Sequence, residues 1–178
     1  EKYNLKNEIK VKNYGQAEFI AKDMRDGLLE GGVGTPALAV FTSTLMESNL
    51  IIEAKDLCSN NPSYGIFAHE KLIRSHPDLI LKFLKYHKTA SNLLRTSPSI
   101  AAEKISKTFE IINKKYAEAV IKISPKYCIS LSESYLKSTM DFVKVLYNLG
   151  YIKKRLEKEN IFDLKFVNLI HPEPEHYS

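Results

Sequence analysis

The sequence predicts an α/β chain whose second half is almost wholly helical. Three observations carry that class. Short β-rich runs alternate with helical stretches up to about Ala68. Beyond that point apolar residues recur at three- and four-residue spacing. Prolines preceded by serine or histidine then mark helix starts one after another. Residues 1–68 therefore read as an α/β portion and residues 69–178 as a helical portion. No flexible linker divides them, which favours one intertwined unit.

Taken in order, Glu8 to Tyr14 alternates polar and apolar residues, as a half-buried strand does. Glu18 to Leu29 places Phe19, Ile20, Met24 and Leu28 on one helical face, with Gly27 weakening its end. Gly31-Gly32-Val33-Gly34 is a permissive turn, and Thr35-Pro36 supplies an N-cap and a first-turn proline for a helix over Ala37 to Met46. Leu50 to Ile52 and Tyr64 to Ala68 read as two buried strands on either side of the turn-rich Ser59-Asn60-Asn61-Pro62-Ser63. Ser75-His76-Pro77-Asp78 starts a helix with Ile80, Phe83, Leu84, His87, Ala90 and Leu94 on its apolar stripe. Ser97-Pro98 starts the next, and Tyr116 to Ile123 forms a short one before Pro125. Ser130 and Glu133 read as a capping box opening a long helix through Leu136, Met140, Val143 and Tyr147, which Gly150 stops.

Composition bounds the function. With 44% hydrophobic and 26% charged residues in 178, the chain has enough apolar residues for a core. Its net charge of +5 is carried by lysine, with only Arg25, Arg74, Arg95 and Arg155 as arginines. That pattern argues for solvated surfaces, including Lys82, Lys85 and Lys88 beside an apolar helix face, and against a nucleic-acid partner. No run approaches the roughly 20 apolar residues of a membrane span. Cys58 and Cys128 form no metal or redox motif. They read as two half-buried thiols, or as one disulfide in an oxidising compartment. His69, His76, His87, His171 and His176 lack ligand spacing, so neither a metal nor another cofactor is expected.

The most chemical feature is Gly31 to Pro36. Small residues before a capped helix start aim backbone N–H groups and the positive helix end at an incoming carboxylate, sulfonate or phosphate. An ordinary tight turn explains the same letters, and neither the dinucleotide nor the P-loop spacing is met. Asn60, Asn61 and Tyr64 form a polar cluster that would fix a small ligand, or simply a turn. No nucleophile–base signature is present, so no catalytic residue and no enzyme activity are expected.

Three blocks resemble a known family in the same order. These are Lys10 to Phe41 (KVKNYGQAEFIAKDMRDGLLEGGVGTPALAVF), Asn61 to Ile105 (NPSYGIFAHEKLIRSHPDLILKFLKYHKTASNLLRTSPSIAAEKI) and Tyr135 to Asp163 (YLKSTMDFVKVLYNLGYIKKRLEKENIFD). They are similar to the nitrate-, sulfonate- and thiamine-precursor-binding (SsuA/NrtA-like) solute-binding proteins of ABC importers. The resemblance implies a type II periplasmic-binding-protein fold, truncated to its C-terminal part. It implies capture of a small anionic or heterocyclic ligand between two lobes, an extracytoplasmic location and an ABC permease as partner. It places Gly34, Thr35 and Pro36 at a helix start facing the cleft, and Asn61 to Tyr64 near the interlobe crossing. The family's acidic and aromatic residues are missing before Pro36, so no contact from an aromatic carries over. Relatives of that fold also catalyse steps in thiamine and menaquinone-type pathways, which makes an enzyme the alternative, with His69 beside Glu70 as its candidates. A helical protein-interaction module is the further alternative, and sheet edges left open by truncation would favour self-association.

Overall fold

A computed structural model of the chain describes residues 8–53, 56, 65–124 and 127–176. The described residues are helical and contain no β-strand. Among the described residues, the helices are α1 (Ala17–Arg25), α2 (Pro36–Met46), α3 (Glu70–Ser75), α4 (Pro77–Thr96), α5 (Pro98–Thr108), α6 (Lys114–Ile123), α7 (Glu133–Asn148) and α8 (Lys165–Ile170), with a 3₁₀ turn at Lys158–Asn160 before the last.

The expected α/β, periplasmic-binding-protein-like class is therefore corrected, and with it the sheet edges on which self-association was to rest. A strand is stable only where a neighbour takes up its N–H and C=O groups. Ile9 and Val11, the apolar half of the alternation over 8–14, are 56% and 81% exposed. Ile51 and Phe67, one in each of the two supposedly buried strands, are 86% and 92% exposed. None of the described residues in the three segments joins a ladder.

The chain divides into two compact units, Glu1–Leu50 and Ile51–Ser178. The change of texture near Ala68 falls inside the second. In the first unit α1 packs against α2. Gly27 ends α1 in the left-handed region at φ 71°, and the N–H groups of Gly27 and Leu28 return to the carbonyls of Met24 and Asp23. This pair of bonds is a Schellman stop, which satisfies carbonyls that the helix leaves open. Thr35 caps α2, its hydroxyl accepting from the Leu38 N–H at 3.4 Å, and Pro36 occupies the first turn as the sequence predicts. Gly32 has a packing reason to be glycine: a Cβ there would sit 2.7 Å from Ile20 Cγ2 and 3.3 Å from Met24 Sδ on α1.

In the second unit α4 meets α3, α5 and α8, and α5 pairs with α6. Pro77 and Pro98 open α4 and α5 as expected, since proline lacks only an N–H that the first turn cannot use. The buried residues of the α5–α6 pair are Ala101, Ala102 and Ala117. Small side chains allow two helix backbones to approach closely. The cap of α7 lies two residues beyond the expected Ser130: the buried Ser132 hydroxyl accepts from the Tyr135 N–H at 3.2 Å. Gly150, at φ 78°, stops α7 as predicted, with the N–H groups of Gly150 and Tyr151 returning to Tyr147 and Leu146.

Candidate metal centre

Helix α8 ends where Pro172 follows His171. The proline ring takes away an N–H and crowds the helical conformation of the residue before it. The chain then runs through His171-Pro172-Glu173-Pro174-Glu175-His176, two histidines joined by a stretch that two prolines stiffen. On the other side, Tyr127 to Leu131 leads irregularly into the Ser132 cap of α7. These two segments bring Cys128, His171 and His176 together.

The Cys128 Sγ lies 3.2 Å from His171 Nε2 and 3.5 Å from His176 Nδ1. One ligand atom from each of the three residues falls within 4.8 Å of the other two. The imidazoles meet edge to face with centroids 5.3 Å apart. His171 is buried, while Cys128 and His176 are half-buried. Around a tetrahedral zinc ion, with Zn–S about 2.3 Å and Zn–N about 2.05 Å, sulfur and nitrogen stand about 3.6 Å apart. The two sulfur–nitrogen separations are therefore close to the edges of such a tetrahedron.

The outer shell settles how His171 is presented. Its Nδ1 faces the backbone carbonyl of Glu173 at 2.9 Å and a Glu173 carboxylate oxygen at 3.3 Å. Both partners are acceptors, so Nδ1–H donates to them, and Nε2 is the nitrogen turned toward Cys128. A metal-ligating histidine is oriented in this same way, its second nitrogen donating to a carbonyl or carboxylate. Glu173 is in turn held by Lys88 of α4, whose ammonium lies 3.0 Å from both carboxylate oxygens and 2.7 Å from the Ile170 carbonyl. The Glu173 carboxyl lies below its usual pKa, first through its own backbone hydrogen bond and then through Lys88.

A thiol beside one oriented imidazole is also the start of a nucleophile pair. The second imidazole on the same sulfur adds a donor that a metal ion would use. Thiol catalysis needs one base, whereas a soft metal ion takes one thiolate and both rings.

The residues singled out from the sequence lie elsewhere. Gly34, Thr35 and Pro36 form the start of α2 in the first unit, where the Leu38 N–H is already turned to Thr35. Asn61 and Tyr64, with Asn60 and Cys58, lie outside the described residues. His69 and Glu70 do not form an acid–base pair: His69 Nδ1 caps α3 by accepting from the Lys71 N–H, and Glu70 pairs with Arg74. A pocket of about 200 Å³ is lined by Lys144, Tyr147, Asn148 and Arg155, none of them expected ligand residues. Lys88, read as a solvated lysine, is a bridging residue. Sequence spacing missed Cys128, His171 and His176 because 43 and 48 residues separate the sulfur from its partners. The one local trace was the histidine pair bracketing two prolines.

The chain matches no protein-family model, no curated protein and no solved structure. Among the described residues no helix is long and apolar enough to cross a membrane.

Proposed function

We propose that this chain is a helical metal-binding module whose second unit is stapled by a transition-metal ion of the zinc class, held by Cys128, His171 and His176. The observation that carries the reading is the His171 ring, fixed by the Glu173 carbonyl at 2.9 Å so that Nε2 faces the sulfur that His176 also approaches. A thiolate with two imidazoles suits zinc or copper(I), while magnesium and calcium prefer oxygen donors. The ion would have three protein ligands here, with its fourth tetrahedral position left to water or another donor. It joins the segment before α7 to the segment after α8, so binding energy becomes folding energy.

Cobalt(II) titration of the full chain tests this. A near-ultraviolet thiolate-to-cobalt band saturating at one equivalent, displaced by zinc and lost in Cys128→Ser, is the expected result. No band, and no rise in Tm with zinc, would overturn it.

The importer reading stands as a second proposal, with the extracytoplasmic location and permease partner it entails. It rests on the resemblance and on the capped start of α2, where Thr35 is exposed and Pro36 half-buried. A thermal-shift screen against small anions, repeated on a Thr35→Ala, Pro36→Ala double variant, tests it. A ligand that stabilises the parent alone supports it, and no shift with any anion counts against it.

A further inference from the structure

We infer that Lys88 is a positioning residue of the metal centre, acting from the middle of α4 through Glu173 and Ile170 on the orientation of His171. The inference rests on the metal-binding reading above and adds a residue that the coordination sphere does not contain. Three contacts converge on one ammonium: the Ile170 carbonyl at 2.7 Å and both Glu173 carboxylate oxygens at 3.0 Å. Ile170 is the last residue of α8 and Glu173 is the residue whose carbonyl receives His171 Nδ1–H. Lys88 therefore grips the chain on both sides of His171. Without that grip, the turn over 171–173 loses its tie to α4, and the Glu173 carbonyl that orients the imidazole is less firmly placed.

The arrangement suits lysine. A flexible stem lets a compact cation sit between a helix C-terminus and a carboxylate, and the C-terminal carbonyl attracts positive charge for the same reason that the helix dipole does. The Lys88 side chain is 26% exposed and that of Glu173 51%, so water and salt reach the pair. Added salt screens partly exposed charges over distances of about 8–10 Å at physiological ionic strength. Metal affinity should then fall with ionic strength in the wild type, and less so when the ammonium is gone. A lysine that only packed α4 against α8 would leave that salt dependence unchanged.

Outer-shell partners of metal ligands typically contribute about 10–100-fold to metal affinity. The experiment is cobalt(II) binding to the full chain in wild type, Lys88→Met, Lys88→Arg and Glu173→Gln, each at low and high salt. Lys88→Met is expected to keep the thiolate-to-cobalt band, because the ligands are intact, and to bind cobalt about tenfold more weakly with a flattened salt dependence. Lys88→Arg should recover most of the affinity. Glu173→Gln leaves the backbone carbonyl in place and removes only the charge, so it should weaken binding and flatten the salt response even if Lys88→Met does not fold. A wild-type band with affinities and salt dependence unchanged in both Lys88→Met and Glu173→Gln overturns the positioning role alone. No band in the wild type overturns the metal reading and this inference together.

Discussion

Asp23 shows how much a single side chain organises in the first unit. Its carboxylate receives Lys12 at 2.8 Å and the Tyr14 hydroxyl at 2.5 Å, tying the irregular segment before α1 onto the helix. These hydrogen bonds, Lys12 first and Tyr14 second, hold the Asp23 carboxyl below its ordinary pKa. A carboxyl depressed in the folded state adds stability above its unfolded pKa, and that stability disappears as pH falls through the folded value. Acid should therefore loosen the tie below about pH 4. Asp23→Asn is expected to flatten the dependence of Tm on pH between neutral and acidic solution, and a Tm-against-pH series checks it. Ser91 makes the opposite case. Its hydroxyl is buried in α4 without a hydrogen-bond partner among the described residues. An unpaired buried hydroxyl costs about 1–3 kcal/mol. Ser91→Ala should raise the Tm, as thermal denaturation would show; a lower Tm would mean that the hydroxyl has a use in solution.

At the scale of elements, the helix signals in the sequence were read well because each is a local event. The Thr35-Pro36 start, the proline starts at Pro77 and Pro98, and the Gly150 stop need only a few neighbouring residues to act. The strands expected over 8–14, 50–52 and 64–68 do not form among the described residues, because a strand depends on a partner far away in sequence, which alternation over a few residues does not reveal. The Gly31 to Pro36 turn separates the two kinds of information. Its glycines invited an anion, yet the crowding at Gly32 comes from Ile20 and Met24 on α1, while Gly31 has nothing within 4 Å. Gly32→Ala should destabilise the chain by about 1–3 kcal/mol, as overpacking does. Gly31→Ala should lie within about 0.5 kcal/mol of wild type, as surface changes do. Chemical denaturation of the two variants compares them, and equal losses would remove the packing explanation.

For the whole molecule, the consequence is that the C-terminal segment is held by polar contacts, Lys88 to Glu173 and Cys128 to both histidines, rather than by apolar burial. Between His171 and His176 the residues are exposed except for the two histidines, with Phe166 of α8 the nearest buried apolar residue in the chain. Zinc at about 100 times its Kd would add about 2.7 kcal/mol to the folded state. Limited proteolysis should accordingly cut near the C-terminus in chelator and much more slowly in zinc, with Cys128→Ser cut at the same rate in both. Equal rates for the wild type would show that the ion does not pin this segment.

The sequence by itself determined where α4 and α5 begin and where α6 and α7 end, while α3 and α8 went unmarked. It also determined why the second half is helical and which glycine stops α7, since capping, proline placement and periodicity act over a few residues. Only the tertiary structure decided that no sheet forms among the described residues. It also decided that Lys88 bridges to Glu173, and that Cys128 meets His171 and His176. Those outcomes depend on which distant segments lie side by side, and no local spacing rule encodes a contact between residues more than forty positions apart.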